Sequence, residues 1–272
     1  MRPCFNKSFF ALFCICLSSF FAKAQVYAPL EHVKLYGYNY DMAPGFYQKP
    51  VYLQLKAPVG GNYKYTVAGG NGVNTYENKP AVILDSISTI AFQIKLDGNW
   101  IDTIYVGTYF IRESITLPIV SLHLDRSEFD APGGILDGKV VHIGDSLGNA
   151  ILKTEGRVWK KENVKTYVEF MDSSGIRRLG NMRVQPFGGM TLGMPDKGIR
   201  LTTDTTLGSR NIGFNPFYGK PFNSYRTLVL RASGNDHNQT RMKDMTLCSI
   251  AKDLGLDYMD YRPSIVLVNG DY

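Results

Sequence analysis

LVLRASGNDHNQTRMKDM, residues 228–245, reads as a buried strand (Leu228, Val229, Leu230) that enters a polar turn at Arg231 and leaves it as a helix carrying Arg241, Lys243 and Asp244. A strand ending in Gly, Asn and Asp, with an Arg and a further Asp one or two helical turns on, is one way to build a phosphate or metal site. It is equally a way to build a plain strand-to-helix corner. Asn235 and Asp236 are turn residues, and an Asp or Asn ahead of a helix caps it. The stretch alone leaves both readings open.

Downstream, Met242, Met245, Cys248 and Ile250 fall at helical spacing within a helix expected over about Gln239 to Leu254, where Cys248 is expected to be buried. RPSIVLVNGDY, from Arg262, is a final strand. Upstream, FNPFYGKPFNSY is a loop of aromatics and prolines, and PDKGIRLTTD at Pro195–Asp204 is a strand bearing Lys197 and Arg200. NVKTYVEFMD (Asn163–Asp172), the turn SSG and IRRLGNMRVQPFGG (Ile176–Gly189) alternate well enough to predict a hairpin. A loop precedes it. TLPIVSLHL, from Thr116, is an apolar strand, and DRSEFDAPGGILDG after it is a capped turn or short helix ended by Gly133 and Gly134. Residues 114–272 therefore form one domain, a mixed β-sheet with a helix.

Before it the pattern changes. VYLQLKA from Val51, YKYTVA from Tyr63, AVILDSI from Ala81, IAFQIKLD from Ile90 and DTIYVGTYFI from Asp102 are short period-2 strands separated by Gly and Asn turns. That is the pattern of an antiparallel β-sandwich, placed at 44–113, with no helix. The 27 glycines and 17 tyrosines of the chain lean the same way. The fold class is α+β, with an irregular, tyrosine-rich segment over 25–43.

Arg2 and Lys7 precede an apolar run from Phe9 to Phe21, and Ala22, Lys23, Ala24 follow it. This is a secretory signal peptide, residues 1–24, with cleavage expected between Ala24 and Gln25. The run is short of the roughly 20 residues a spanning helix needs, and no later segment is longer, so no membrane span is expected. The chain is predicted to be secreted, periplasmic or on the cell surface. Cys4, Cys14 and Cys16 leave with the signal, so an internal disulfide is excluded. His32, His123, His142 and His237 include no pair at ligand spacing, which argues against a zinc site. The formal charge of +6 loses three basic residues with the signal, and no basic run remains, so nucleic acid is not an expected partner.

GFYQKPVYLQL, from Gly45, through YKYTVAGGNGVNTYENKPAVILDSISTIAFQIKLDGNWIDTIYVGTYFI, ending at Ile111, resembles the small immunoglobulin-like module attached to chitobiases and hexosaminidases: a GFY entry strand, a YT strand, a tyrosine before a turn and a closing TYFI strand. The match covers about Pro44 to Arg112. The resemblance admits a glycan partner, although tyrosines and Trp100 in such modules more often serve the core or an edge.

Over about Leu117 to Tyr272 the order LPIVSLHLD, FDAPGGILDG, VKTYVEFMDSSG, MRVQPFGG, PDKGIRL, LVLRASGND, TRMKDM, RPSIVLVNGDY resembles the CotH family, the spore-coat-type secretory protein kinases. The LR-x-x-GND element together with NG-D-Y carries the most specificity. The resemblance implies the amino-terminal part of an atypical kinase domain, a transferase moving the γ-phosphate of ATP to Ser or Thr hydroxyls of a protein substrate with Mg2+. It places a phosphate-binding lysine on Lys197 and an arginine on Arg200, with Arg183 retained from the RGnsS segment. A lysine on a sheet strand is how kinase-like folds set a point charge against phosphate oxygens, and Arg200 would add a forked contact. Arg231, Asn235, Asp236, Arg241 and Asp244 match the corner that ties strand to helix and shapes the floor of the site.

The chain departs from the family in three places. The hydroxyl residues of RGnsS are absent from MRVQPFGG, PKK has become PDK, and the chain ends before the wG-x-Y and acidic elements. The resemblance assigns the metal-binding and catalytic aspartates to that later portion, so catalytic residues are left unassigned and the chain by itself is expected to be inactive. The reading frame past Tyr272 is expected to encode those elements. A non-catalytic surface-binding protein, contacting glycans or a protein through its β-module, is the rival reading.

Overall fold

A computed structural model describes residues 37–272 apart from 71, 102, 114, 145–149, 173–174, 209, 218–219, 223 and 237–238, and gives the main chain alone for 141–144, 150–152, 175–179 and 235. The signal segment, its cleavage point and residues 25–36 lie outside the described residues. The chain is mostly β, in two units.

The first unit contains strands β1 (Asn39–Tyr40), β2 (Gly45–Tyr47), β3 (Val51–Lys56), β4 (Asn62–Gly69), β5 (Gly72–Glu77), β6 (Ala81–Leu84), β7 (Ser88–Leu96), β8 (Asn99–Trp100) and β9 (Ile104–Ile111). One sheet has the order β1-β3-β6 and the other β2-β9-β7-β4-β5, with β8 beside β7. Alternation decides which side is inside. In β3, Val51, Leu53 and Leu55 are buried while Tyr52, Gln54 and Lys56 are exposed. Between the sheets lie Leu53, Leu84, Phe92, Ile94 and Tyr65, together with Tyr38 and Tyr40. Part of the segment expected to be irregular thus belongs to the sandwich: Asn39 and Tyr40 pair with Lys56 and Leu55. β2 pairs with β9 in parallel, an exception to the expected antiparallel sandwich. The β7–β8 hairpin turns on Asp97 and Gly98, both at positive φ (48° and 83°), as a two-residue turn of the type I′ pattern requires.

The second unit comprises β10 (Ile119–His123), α1 (Arg126–Phe129), β11 (Lys139–Gly144), β12 (Ala150–Glu155), β13 (Val164–Asp172), β14 (Gly175–Phe187), β15 (Gly198–Thr203), β16 (Thr227–Leu230), α2 (Lys243–Asp253) and β17 (Ile265–Val268). Its six-stranded sheet runs β16-β15-β14-β13-β10-β17. Every neighbour is antiparallel except β10 and β17, so the sheet is mixed. Asp125 caps α1 by accepting the Ser127 N–H at 2.9 Å. β11 and β12 pair as a separate hairpin where the sequence reading expected a loop. Leu228 is buried but Val229 is exposed, because β16 is an edge strand and not the buried strand expected.

One face of this sheet holds the core: Val120, Leu122, Val168, Phe170, Met182, Val184, Ile199, Leu201 and Leu228, closed over by Phe129, Ile135 and Ile212. The other face is divided. Over β10, β13 and β17 it packs against β9, where Phe110 joins Ile119, Met171 and Leu267. Beside this apolar contact lies a buried polar knot. Glu169 Oε2 accepts from the Thr108 N–H (2.9 Å), the Thr108 hydroxyl (3.0 Å) and His123 Nε2 (3.0 Å), and Ser121 Oγ lies 2.8 Å from Thr108 Oγ1. Gly107 permits the approach: its φ is +144°, and a Cβ there would sit 2.6 Å from Glu169 Oε1 and 2.7 Å from the Pro44 ring. Over β14, β15 and β16 the same face is open to solvent. The candidate groups lie there and at the adjoining end of the sheet.

Candidate functional site

Lys197 stands in the connection between β14 and β15, which closes with a 3-10 turn at Met190–Gly193. Its ammonium donates to the Met194 carbonyl at 2.9 Å. The group is half-buried, and burial pushes its pKa down from the ordinary lysine value, with Asp137 and Asp196 pulling the other way. Arg241 Nη2 reaches Asp196 Oδ2 at 2.7 Å, which fastens this connection to the corner after β16. Gly234 belongs to that corner and lies against Thr191, whose Cγ2 is 3.5 Å from where a Cβ would stand. Lys197 and the GND corner are therefore neighbours at one end of the sheet.

The corner runs from Arg231 through a 3-10 turn at Gly234–Asp236 to the start of α2. Ser233 and Arg241 both adopt positive φ (65° and 57°), and the Ser233 hydroxyl donates to the Arg241 carbonyl at 2.8 Å across the loop they bracket. Asp236 is buried, and its carboxylate accepts from the Thr240 hydroxyl (2.8 Å) and the Lys243 N–H (3.0 Å). Those bonds, the Lys243 amide first, hold its carboxyl below the usual carboxylate pKa. Since Met242, directly ahead of α2, makes no side-chain cap, Asp236 caps the helix from a distance. Arg231 pairs with Asp244 at the surface. Only the main chain of Asn235 is described. The helix is shorter than the sequence suggested and has no buried residue; Cys248 is half-exposed beside a groove lined by Leu247, Ala251, Tyr258 and Met259.

Arg200 and Arg183 lie on the open face of the sheet. Arg200 is opposite Gln185 and Arg183 opposite Thr202. The Arg200 guanidinium sits 4.7 Å over the Phe187 ring, a cation–π contact that holds it flat on the sheet. Arg183 Nε pairs with Asp204, and Nη1 donates to Asn163 Oδ1 at 3.1 Å. The Arg183 contact, with help from Thr206, brings the Asp204 carboxyl down to about 2. At about 3.3 Å per residue, the five steps from Lys197 to Thr202 span roughly 16 Å. The structure joins Lys197 to the corner and leaves Arg183 at the far end of the strand.

For the nucleotide that the family resemblance implies, the half-buried Lys197 ammonium beside the Gly234 loop offers one cation to a phosphate oxygen, while Arg200 is half-buried and stacked on Phe187. The metal has no such support. Among the described residues no group of three or more His, Cys, Asp or Glu could hold an ion, and the nearby carboxylates are engaged, Asp196 by Arg241, Asp236 by α2 and Asp244 by Arg231. In the first unit, Lys64 Nζ lies 4.6 Å and Lys95 Nζ 5.8 Å from the centroid of the Trp100 ring, cation–π contacts that tie this aromatic to its own strands. Sequence reasoning missed the polar knot, because Thr108 and Glu169 are 61 positions apart and in different units. It also missed Arg210 and Arg226, which no motif marks. No protein-family model matches the chain, and no curated protein matches it. Among the described residues no helix is long and apolar enough to cross a membrane.

Proposed function

We propose that residues 114–272 are the phosphate-holding part of an exported CotH-like protein kinase, and that the first unit is an immunoglobulin-like module fixed to its sheet. The motif order from Leu117 to Tyr272 supports the family reading. One observation carries the site: Lys197 keeps a half-buried ammonium at the end of the sheet where the β14–β15 connection meets the GND corner. Burial that disfavours a charge marks a functional-site candidate, and here, at the meeting of the two loops, it supports an anion-holding role. ATP would supply the phosphoryl group; Lys197 neutralises its phosphate oxygens and Arg200 adds a forked contact from the sheet face. The Asp236 cap and the Asp196–Arg241 pair hold the two loops that frame the lysine. Accepting the proton of a Ser or Thr hydroxyl and holding Mg2+ both require carboxylates from the portion that the family carries after this one.

Thermal shift with ATP tests this. The wild type is expected to be stabilised by saturating nucleotide, with midpoint rising with concentration as linkage requires. The Lys197→Ala, Arg200→Ala double variant should lose that response. Absence of a shift in the wild type, or an equal shift in the double variant, sinks the assignment.

A further inference from the structure

At the far end of β15 a second group of cations surrounds a cavity of about 260 Å³, lined by Arg183, Arg210, Arg226, Thr202, Asp204 and Thr205 among others. The main chain builds it. Ile212 bridges to Tyr225 with an N–H···O bond of 2.7 Å, and the Thr203 hydroxyl reaches the Arg210 carbonyl at 2.7 Å and the Arg226 carbonyl at 3.2 Å. These bonds bring two arginines 16 positions apart to one mouth. Asp204 is fixed by the Thr206 N–H at 2.8 Å and hydroxyl at 2.7 Å, and pairs with Arg183. Neither Arg210 nor Arg226 has an acidic partner among the described residues. Three arginines and one carboxylate line it, a formal surplus of two positive charges around a space with room for an anionic group and part of the molecule that carries it. Lys165 stands opposite Arg183 in the β13–β14 ladder.

We propose that this cavity is a binding site for a phosphate monoester, distinct from the Lys197 end. A dianion matches the surplus charge. Guanidinium forks fit the tetrahedral oxygens, and the Thr202 and Thr205 hydroxyls supply neutral donors. The inference does not rest on the kinase reading, since it uses neither Lys197 nor the corner. Arg183, which the family resemblance grouped with Lys197, belongs to this second site.

Phenyl phosphate and phenyl sulfate, titrated by calorimetry into the whole protein at constant ionic strength, give the test. At pH 7.5 the phosphate ester is expected to bind more tightly than the singly charged sulfate ester. That advantage should shrink at pH 5.5, where a phosphate monoester, with a second pKa of about 6, has lost much of its second charge. The Asp204 carboxyl, held down to about 2 chiefly by Arg183, stays ionised over this range, and no histidine is among the lining residues, so the change reports the ligand. In a Lys197→Ala, Arg200→Ala background, which removes the phosphate contacts proposed at the other end of the sheet, Arg210→Gln with Arg226→Gln, both at exposed positions, should raise Kd at least about tenfold. Asp204→Asn keeps a capping side chain, removes the competing charge and should tighten binding. No binding, sulfate bound as well as phosphate at pH 7.5, an unchanged Kd in the Arg210, Arg226 variant, or weaker binding in Asp204→Asn would each overturn the proposal.

Discussion

Replacing Glu169 by Ala should both destabilise the protein and uncouple its two units. One oxygen, Oε2, takes the Thr108 N–H, the Thr108 hydroxyl and His123 Nε2 within 3.0 Å, and the His123 and Glu169 side chains are 0% and 1% exposed. Removal of one member of a buried, charge-assisted cluster costs about 3–5 kcal/mol, because the remaining donors stay desolvated. Three separate bonds to a charged group, each about 1.5–3 kcal/mol, would sum higher, but they share one acceptor and are not additive. We take about 4 kcal/mol, which lowers Tm by roughly 8–16 °C for a chain of this size. Glu169→Gln keeps an acceptor for Thr108 and should lose only about 1–2 kcal/mol. The two tryptophans make the assay direct, since Trp100 lies in the first unit and Trp159 in the second. Urea unfolding of Trp100→Phe and Trp159→Phe proteins reports one unit each; the two curves should coincide with Glu169 present and separate in Glu169→Ala. A loss under about 1 kcal/mol would refute the reasoning, because such a value belongs to a solvated surface pair.

Three further outcomes are expected. Lys197→Met should leave the urea midpoint at pH 7 equal to or above that of the wild type: the depressed lysine pKa makes wild-type stability rise with pH from the folded value toward the ordinary one, and a pH series should show that rise absent in the variant. Asp236 has a depressed pKa, so its stabilising effect is complete above the unfolded carboxylate value and is lost as pH falls through the folded one; hydrogen exchange of α2 amides should accelerate across that acid window in the wild type and be flat in Asp236→Asn. Gly107→Ala forces a Cβ against Pro44 and Glu169 at positive φ and should cost at least about 2 kcal/mol in urea unfolding.

The parts of the fold that sequence disclosed are those where one face meets a core. VYLQLK at Val51 and the long β13–β14 hairpin alternate cleanly because each buries every second side chain. The β11–β12 hairpin escaped notice because KVVHIG and AILKTE do not alternate apolar and polar residues as VYLQLK does. At Leu228–Leu230 an apolar triplet suggested burial, yet an edge strand covers only one of its faces, and Val229 looks outward. The helix after it carries apolar residues at helical spacing, but Leu247, Ile250 and Leu254 are exposed, since spacing fixes which residues share a stripe and not whether anything packs on it. Lys197 and the GND corner were legible as separate motifs; their meeting depends on the Asp196–Arg241 pair, 45 positions apart. Arg210 and Arg226 are gathered by an isolated bridge, which leaves no local pattern.

The parallel pairing of β17 with β10 sets an order on biosynthesis. Asn269 reaches back 145 positions to the main chain of Leu124, donating to its carbonyl at 2.9 Å and accepting its N–H at 3.1 Å. Leu267 in β17 also completes the apolar contact with Phe110 of the first unit. A nascent chain can close the sandwich as soon as β9 leaves the ribosome, but its seam with the second unit stays one strand short until residues 265–269 emerge. During that interval the edge of β10 is open to any extended segment nearby. Slowed translation ahead of Ile265 would therefore lengthen the time the half-assembled protein needs a chaperone, and would do so without altering the finished structure.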